Sequence, residues 1–145
     1  MIHPEAKKFH ETARAFNYKR RTGHFVLIEE KFEMFNTIAT WFKKTMDKDI
    51  IIVPSFQDAY GFLENDAKNI KCIISSVPSR LRVQGENFLQ KINRNYPGVV
   101  SVAYTEDSRV AQSIQENCPR ATVVCMGSDI QKLMKILHQD IKEVS

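Results

Sequence analysis

Five short apolar runs, separated by longer amphipathic stretches, constrain the fold of this chain more than any other feature of its sequence. The runs are residues 25–28, 50–53, 72–75, 99–103 and 122–126. They are apolar throughout rather than alternating, which is typical of strands that are buried on both faces. The stretches between them carry apolar residues at helical spacing, so strands and helices are predicted to alternate along the chain.

This alternation predicts an α/β fold. Right-handed crossovers between consecutive strands give a parallel sheet that is sandwiched between helices. Five strand–helix units, (βα)5, suit an open, doubly wound five-stranded sheet of the flavodoxin-like kind, because a closed eight-fold barrel needs about twice the length. Ligands of such sheets bind beyond the carboxyl ends of the strands, so the residues that follow each run are the informative ones.

The helices are predicted from apolar spacing and from capping residues. The first carries Phe32, Phe35 and Ile38 on one face, and the second has Ser55 as a plausible N-cap. A polar loop precedes the third helix. The predicted ranges are 31–46, 55–66, a helix after the loop 76–85, 107–117, and a last helix that starts at 127.

The net charge of +4 comes from the first 24 residues, which carry six Lys or Arg and two Asp or Glu, whereas 25–145 carries fifteen of each. We therefore expect two parts, a basic N-terminal helical extension with a linker at 1–24 and a neutral domain at 25–145. A neutral domain is not what a nucleic-acid-binding fold needs, since such folds spread basic residues over one face.

Within the extension, Phe9 and Phe16 fall on one stripe of a predicted helix, and Lys19, Arg20 and Arg21 follow it. One interpretation is a helix that docks on the domain through the two Phe side chains. The others are a dimer contact, a partner-binding helix, or a basic arm that touches nucleic acid or anionic lipid, for which three bases are a weak signal.

The remaining composition excludes several classes of protein. No apolar run approaches the roughly 20 residues of a membrane span, and the N-terminus lacks the apolar core of a signal peptide. The three cysteines, Cys72, Cys118 and Cys125, form no CxxC pair, so a disulfide framework is not expected and the reducing cytoplasm is the expected location. No dinucleotide or Walker motif is present, and we expect no cofactor. The four histidines, His24 among them, are expected in solvent.

Two adjacent carboxylates, Glu29 and Glu30, follow the first apolar run. Such a pair at a sheet edge is able to hold a hard cation such as Mg²⁺. The alternative is a solvated pair that opens a helix, where acidic residues interact favourably with the helix dipole. We assign no metal here and keep the two glutamates as weak candidates.

From residue 25 to 144, the order and spacing of these elements resemble the receiver domain of two-component response regulators. Residues 25–30 are similar to the family's first strand and acidic pair, with Glu in place of Asp. Residues 72–76, 99–103 and 123–126 are similar to its third, fourth and fifth strands. Pro78 and Gly85 are similar to the Pro…Gly loop that follows the third strand.

The resemblance also implies positions for the family's phosphorylation chemistry. Ser76 stands at the phospho-accepting Asp, or Ser75 does if the gap falls one residue earlier. Ala103 stands at the Thr or Ser switch. Cys125, followed by Met126, stands at the Lys that precedes a Pro.

These departures all affect one reaction. Aspartyl phosphorylation needs a carboxylate nucleophile, Mg²⁺, a Lys that pairs with the phosphate, and a hydroxyl that senses it. Ser76 cannot form an acyl phosphate, Cys125 has no ammonium group and Ala103 has no hydroxyl. A different gap makes Thr105 the switch, but this restores neither the nucleophile nor the Lys. We interpret the chain as a degenerate receiver, or pseudo-receiver.

The function predicted from this resemblance is a non-enzymatic signalling module that works through protein–protein contacts, including dimerisation, as the N-terminal part of a longer regulator. In the family, the face built from the fourth helix, fifth strand and fifth helix commonly makes such contacts. The corresponding candidates here are Arg109, Gln112, Gln115, Glu116, Lys132, Lys135 and Gln139, with Phe9 and Phe16 of the extension.

The alternative is a small doubly wound enzyme or ligand-binding domain. It would use the candidates at the strand ends, which are Glu29, Glu30, Ser75, Ser76 and Cys125. In addition, Arg80 and Arg82 of the predicted loop 76–85 are read either as solvated side chains or as ligands for an anion, a nucleotide or an acidic partner.

Overall fold

The five predicted strands are all present and form one parallel sheet. A computed structural model describes residues 24–127 and 130–144. Its sheet has the strand order β2-β1-β3-β4-β5, so the prediction of an open five-stranded sheet is confirmed. The strands are β1 (His24–Ile28), β2 (Ile51–Val53), β3 (Ile70–Ser76), β4 (Val100–Thr105) and β5 (Thr122–Cys125).

Helices alternate with the strands, which confirms the doubly wound α/β class. They are α1 (Phe32–Trp41), α2 (Phe56–Asp66), α3 (Arg82–Asn95), α4 (Ser108–Asn117) and α5 (Ile130–Val144). Among the described residues, no helix combines the length and the apolar character that crossing a membrane requires. The predicted extension, apart from His24, lies outside the described residues, and so do Phe9, Phe16, Lys19, Arg20 and Arg21.

The chain divides into two compact units between Lys71 and Cys72. In the first, β1 and β2 pair in parallel with Val26 opposite Ile51. Each residue of β1 is buried, as expected for a strand that is covered on both faces. The helix predicted at 31–46 is two segments, because the hydrogen bonds of α1 give way to a π-helical turn, Phe42–Met46. Asp47, in the left-handed conformation, ends that turn.

His24 corrects one prediction in this unit. The sequence placed it in a solvated linker, but it is the first residue of β1 and is only 1% exposed. An apolar run marks only those strand residues that are themselves apolar, so a buried polar residue at its end was read as linker.

The N-cap predicted for α2 is confirmed and carries a testable stability effect. The Ser55 Oγ accepts a hydrogen bond from the backbone N–H of Asp58 at 3.1 Å and donates one to Asp58 Oδ2 at 3.0 Å. We expect Ser55→Ala to lower the free energy of unfolding by about 1 kcal/mol in urea titrations, because the backbone N–H of Asp58 in the first turn loses its acceptor. Ser55→Asp keeps the acceptor and should recover most of the loss. Equal losses for both variants would contradict the capping role.

In the second unit, β4 pairs with β3 on one side and with β5 on the other. The side chains that fill the space between sheet and helices are apolar and fully buried, among them Ile74, Leu89, Ile92, Ile114 and Leu133. Both α4 and α5 contact β5. Because these three strands pair side by side and run in the same direction, the carboxyl ends of β3, β4 and β5 lie next to one another.

Two element boundaries in this unit differ from the prediction. The fourth strand does not stop at Ala103 but continues to Thr105, because Tyr104 and Thr105 are paired with Ser76 and Cys125 of the flanking strands. The third helix begins at Arg82, inside the predicted loop, directly after a short 3₁₀ turn, Ser79–Leu81. Polar residues at an element's end were read as loop, whereas hydrogen bonding decides where the element ends.

Candidate functional site

The two glutamates after β1 have different environments. Glu29 is only 5% exposed, its backbone N–H donates to the Val53 carbonyl at 3.1 Å, and its Oε2 accepts from the Lys31 N–H at 3.1 Å. Glu30 is exposed. The interpretation of both as a solvated pair is therefore wrong for Glu29, whose carboxylate lies against the backbone that begins α1.

The two glutamates stay weak candidates for a cation. The described ranges contain no group of three His, Cys, Asp or Glu side chains that could hold a metal ion. Mg²⁺ in proteins usually retains several water ligands and takes one or two carboxylates from the protein. In the acidic pair, the buried Glu29 carboxylate accepts a hydrogen bond from the backbone, and the Glu30 carboxylate is the exposed one.

In the second unit, Ser76 and Cys125 both lie at the strand ends to which the resemblance assigned them. Ser76 is the last residue of β3 and is half-buried, and it pairs with Tyr104. Cys125 is the last residue of β5, is also half-buried, and pairs with Thr105. Ser75 is fully buried, so a ligand approaching from solvent cannot reach its hydroxyl.

Ala103 is not at the end of its strand. It is fully buried inside β4, with Ser75 and Val123 as its neighbours in the sheet. Thr105 ends the strand instead, is 3% exposed, and accepts a hydrogen bond at its Oγ1 from the Asp107 N–H at 3.3 Å. The carboxyl end of β4 thus carries a hydroxyl. This differs from the prediction, which placed Ala103 at the switch position and therefore no hydroxyl there.

Asp107 links the segments that follow β3 and β4. Its Oδ1 accepts from the Arg109 N–H at 2.9 Å, which caps α4, and its Oδ2 accepts from the Ser79 hydroxyl at 3.0 Å. These hydrogen bonds, above all the one from the Arg109 backbone, lower the pKa of Asp107. Its carboxylate is therefore occupied with local structure. The helix was predicted to begin at 107, but neither hydrogen-bonding role of the Asp107 side chain was predicted from the sequence.

A buried carboxylate that sequence reasoning missed connects α3 to α4. Glu86 is 6% exposed and accepts hydrogen bonds from Ser113 Oγ at 2.5 Å, Asn117 Nδ2 at 3.0 Å and Arg82 Nη1 at 3.2 Å. Burial raises the pKa of Glu86, but the three hydrogen bonds and the Arg82 charge outweigh it, so the pKa is lowered overall. Arg82 thus pairs with Glu86 and lies in α3 rather than in the predicted loop, and binding of an anion or a partner by Arg80 and Arg82 stays a prediction.

The sequence did contain a signal for this cluster. Arg82 and Glu86 are four residues apart, the spacing at which side chains of opposite charge meet on a helix. The signal was lost because the helix was predicted to start after Gly85. Ser113 and Asn117 have the same spacing on α4, but nothing in one sequence shows that the two pairs face each other.

Two cysteines of this unit, Cys118 and Cys125, differ in their surroundings. Cys118 is buried, and its thiol donates to the Glu86 carbonyl oxygen at 3.6 Å. Burial, with the nearby Glu86 charge, raises the pKa of Cys118 to about 11, so its thiol stays protonated and unreactive at neutral pH. Cys125 is more accessible and lies at a strand end, as described above.

The residues of α4 and α5 that are predicted to contact a partner are exposed. On α4 they are Arg109, Gln112, Gln115 and Glu116, and on α5 they are Lys132, Lys135 and Gln139. Gln112 donates to Glu116 Oε1 at 3.3 Å, a pairing within one helix face. Exposure leaves these side chains available for a partner, and their role as contacts stays a prediction.

Solved structures resemble this fold. The signal receiver domain of a protein described as a Luxo repressor, from Vibrio parahaemolyticus, matches with a TM-score of 0.61 at 20% identity, over 84% of this chain and 92% of that one. The chain has the fold of signal receiver domains. A second such domain, from an HD domain-containing protein of Pseudomonas fluorescens Pf-5, matches with a TM-score of 0.61 at 14% identity, over 84% of this chain and 96% of that one.

No protein-family model matches the sequence, and neither does any curated protein. The likeness in three dimensions without a matching sequence agrees with the resemblance inferred above, which rests on the order and spacing of elements. It concerns the receiver fold and leaves the chemistry of the site to the residues themselves.

Proposed function

We propose that this chain is a pseudo-receiver, a non-enzymatic signalling module that works through protein–protein contacts without aspartyl phosphorylation. The observation that carries the proposal is Ser76 at the carboxyl end of β3, where receivers have the phospho-accepting Asp. A hydroxyl is no substitute for that carboxylate, because an acyl phosphate needs an acyl carbon.

Cys125 supports the same conclusion from β5. A Lys at this position would pair its ammonium group with the phosphoryl oxygens, and a thiol has no positive charge to offer. The half-buried Cys125 is the last residue of its strand. Both the group that would take the phosphoryl and the group that would stabilise it are therefore replaced.

Thr105 modifies the proposal without reversing it. With Thr105 at the end of β4, a hydroxyl is present where receivers have their switch residue. This hydroxyl already accepts the Asp107 N–H, which ties it to the start of α4. A switch hydroxyl has no phosphate to detect when the nucleophile and the Lys are both missing.

The exposed polar faces of α4 and α5 are the proposed contact surface for a partner or a second copy of the chain. They carry amide side chains as well as charged ones. The charged residues are Arg109 and Glu116 on α4 and Lys132 and Lys135 on α5. Without phosphorylation, such a surface is either constitutively competent or is controlled by another ligand.

Phosphorylation chemistry offers the direct test. We expect neither acetyl phosphate nor beryllofluoride, each with Mg²⁺, to change the amide NMR spectrum of the ¹⁵N-labelled chain. The reason is that Ser76 offers no carboxylate to either reagent. A receiver domain with an intact Asp, treated alongside, shows that the reagents are active. Shifts clustered at Glu29, Glu30 and Ser76 would overturn the proposal.

A further inference from the structure

An open cleft lies where the chain leaves α3 and α4 and turns toward β4 and β5, at the amino ends of these strands. Its volume is about 510 Å³, and its lining includes Asn93, Arg94, Pro97, Cys118, Pro119 and Arg120. All of these residues belong to the second unit. The cleft is separate from the carboxyl ends of the strands, where receiver chemistry would take place.

Hydrogen bonds hold the walls of the cleft together. Gln90 Nε2 donates to the Asn117 carbonyl at 3.1 Å, and Asn117 Nδ2 donates to the buried Glu86 at 3.0 Å. At the base, Cys118 donates through its thiol to the Glu86 carbonyl. The two walls are thus joined through side chains, and the cleft is formed before any ligand enters.

The charge of the cleft has one sign. Arg94 and Arg120 are both exposed, and neither guanidinium has a hydrogen-bond or ion-pair partner in the part of the chain that the structure describes. Among the described residues, no acidic side chain lines the cleft. The carboxyl ends of α3 and α4 contribute about half a negative charge each, so the two arginines leave a net excess of about one positive charge in the cleft.

The cleft also has apolar surface. Pro97 and Pro119 present their rings, and the methylene stems of the arginines add to them. An open cleft with apolar walls and two exposed guanidinium groups suits an extended peptide better than a small molecule that needs enclosure. A peptide carboxylate would take bidentate hydrogen bonds from a guanidinium, and a neighbouring apolar side chain would contact the prolines.

We propose that this cleft binds an acidic, extended segment of a partner protein. The inference rests on the proposed function as a protein-binding module, to which it adds a second contact site and the chemistry of the partner. The acidic segment pairs with Arg94 and Arg120, and charge complementarity sets its preference over neutral or basic segments.

A phage-displayed library of random peptides tests this with no assumption about the partner's sequence. We expect the chain to enrich peptides with several Asp or Glu residues. The charge-reversed Arg94→Glu/Arg120→Glu variant should bind these peptides about tenfold more weakly or worse in fluorescence polarisation, and high salt should weaken binding by the unaltered chain. In NMR titrations, the shifted amides should lie in residues 90–98 and 117–121.

Arg109→Glu/Lys132→Glu is the matched control, since it also reverses two positive charges, on the proposed α4 and α5 contact faces. It should leave binding of the enriched peptides within about twofold. Enrichment of no peptides, enrichment of non-acidic peptides, or equal binding by the double variant would overturn the inference. Peptides that depend on the control pair and not on Arg94 and Arg120 would overturn the cleft while leaving the proposed function in place. Response to beryllofluoride would overturn only the latter.

Discussion

Replacing Glu86 with alanine should lower the free energy of unfolding by about 3 kcal/mol. The change removes the acceptor of three hydrogen bonds, from Arg82, Ser113 and Asn117, and leaves those donors without it at a buried helix–helix contact. Urea titration followed by circular dichroism measures the loss. Glu116→Ala is the control, because Glu116 is an exposed glutamate on α4 and its loss should cost less than about 0.5 kcal/mol.

The same carboxylate predicts how stability depends on pH. Because the pKa of Glu86 is lowered on folding from its usual 4.5, the stabilisation is fully present above that value. It is lost as the pH falls through the lower pKa of the folded state. The stability difference between the wild type and Glu86→Gln should therefore shrink as the solution is acidified below about pH 4.5. A difference that stays constant to low pH, or an Ala variant as stable as the wild type, would contradict the role assigned to Glu86.

Replacing Phe42 with alanine should lower the free energy of unfolding by about 4 kcal/mol. Phe42 is fully buried in the π-helical turn of the first unit. Its ring lies 5.9 Å from that of Phe25 and 5.3 Å from that of Trp41, the second in edge-to-face geometry. Truncation removes these contacts and leaves a cavity, since a close-packed core relaxes only in part.

Phe32→Ala is the matched control for this change. Phe32 is 65% exposed, although its ring also lies 5.2 Å from that of Phe35. Its truncation leaves no buried cavity and should cost less than about 1 kcal/mol in the same urea titrations. If the two variants lost similar stability, burial of Phe42 would not be the reason for its effect.

The sheet and its helices were predictable because each is encoded locally. Strands buried on both faces need uninterrupted apolar runs, and Ser55 signals a helix start by its own chemistry. The same local reasoning failed wherever polar residues complete an element. His24, Thr105 and Arg82 were read as linker, loop or solvated residues, but the first two lie in strands and the third in a helix.

The candidate site was predictable in part for the same reason. Ser76 and Cys125 end apolar runs, so their places at strand ends followed from the sequence. Ala103 was misplaced because the apolar run stops two residues before the strand does. Pairing with Ser76 and Cys125 on the neighbouring strands is what extends β4 to Thr105, and such pairing lies between distant parts of the chain.

The sequence by itself determined the α/β class, the five strands and the kinds of residue at their ends, because these depend on periodicity and side-chain chemistry within a few neighbouring residues. Only the tertiary structure decided which polar residues are buried and with whom. Glu86 meets Ser113 and Asn117 across about thirty positions of sequence, and the cleft with Arg94 and Arg120 joins two loops. Such contacts follow from the packing of α3 beside α4, which no local pattern specifies.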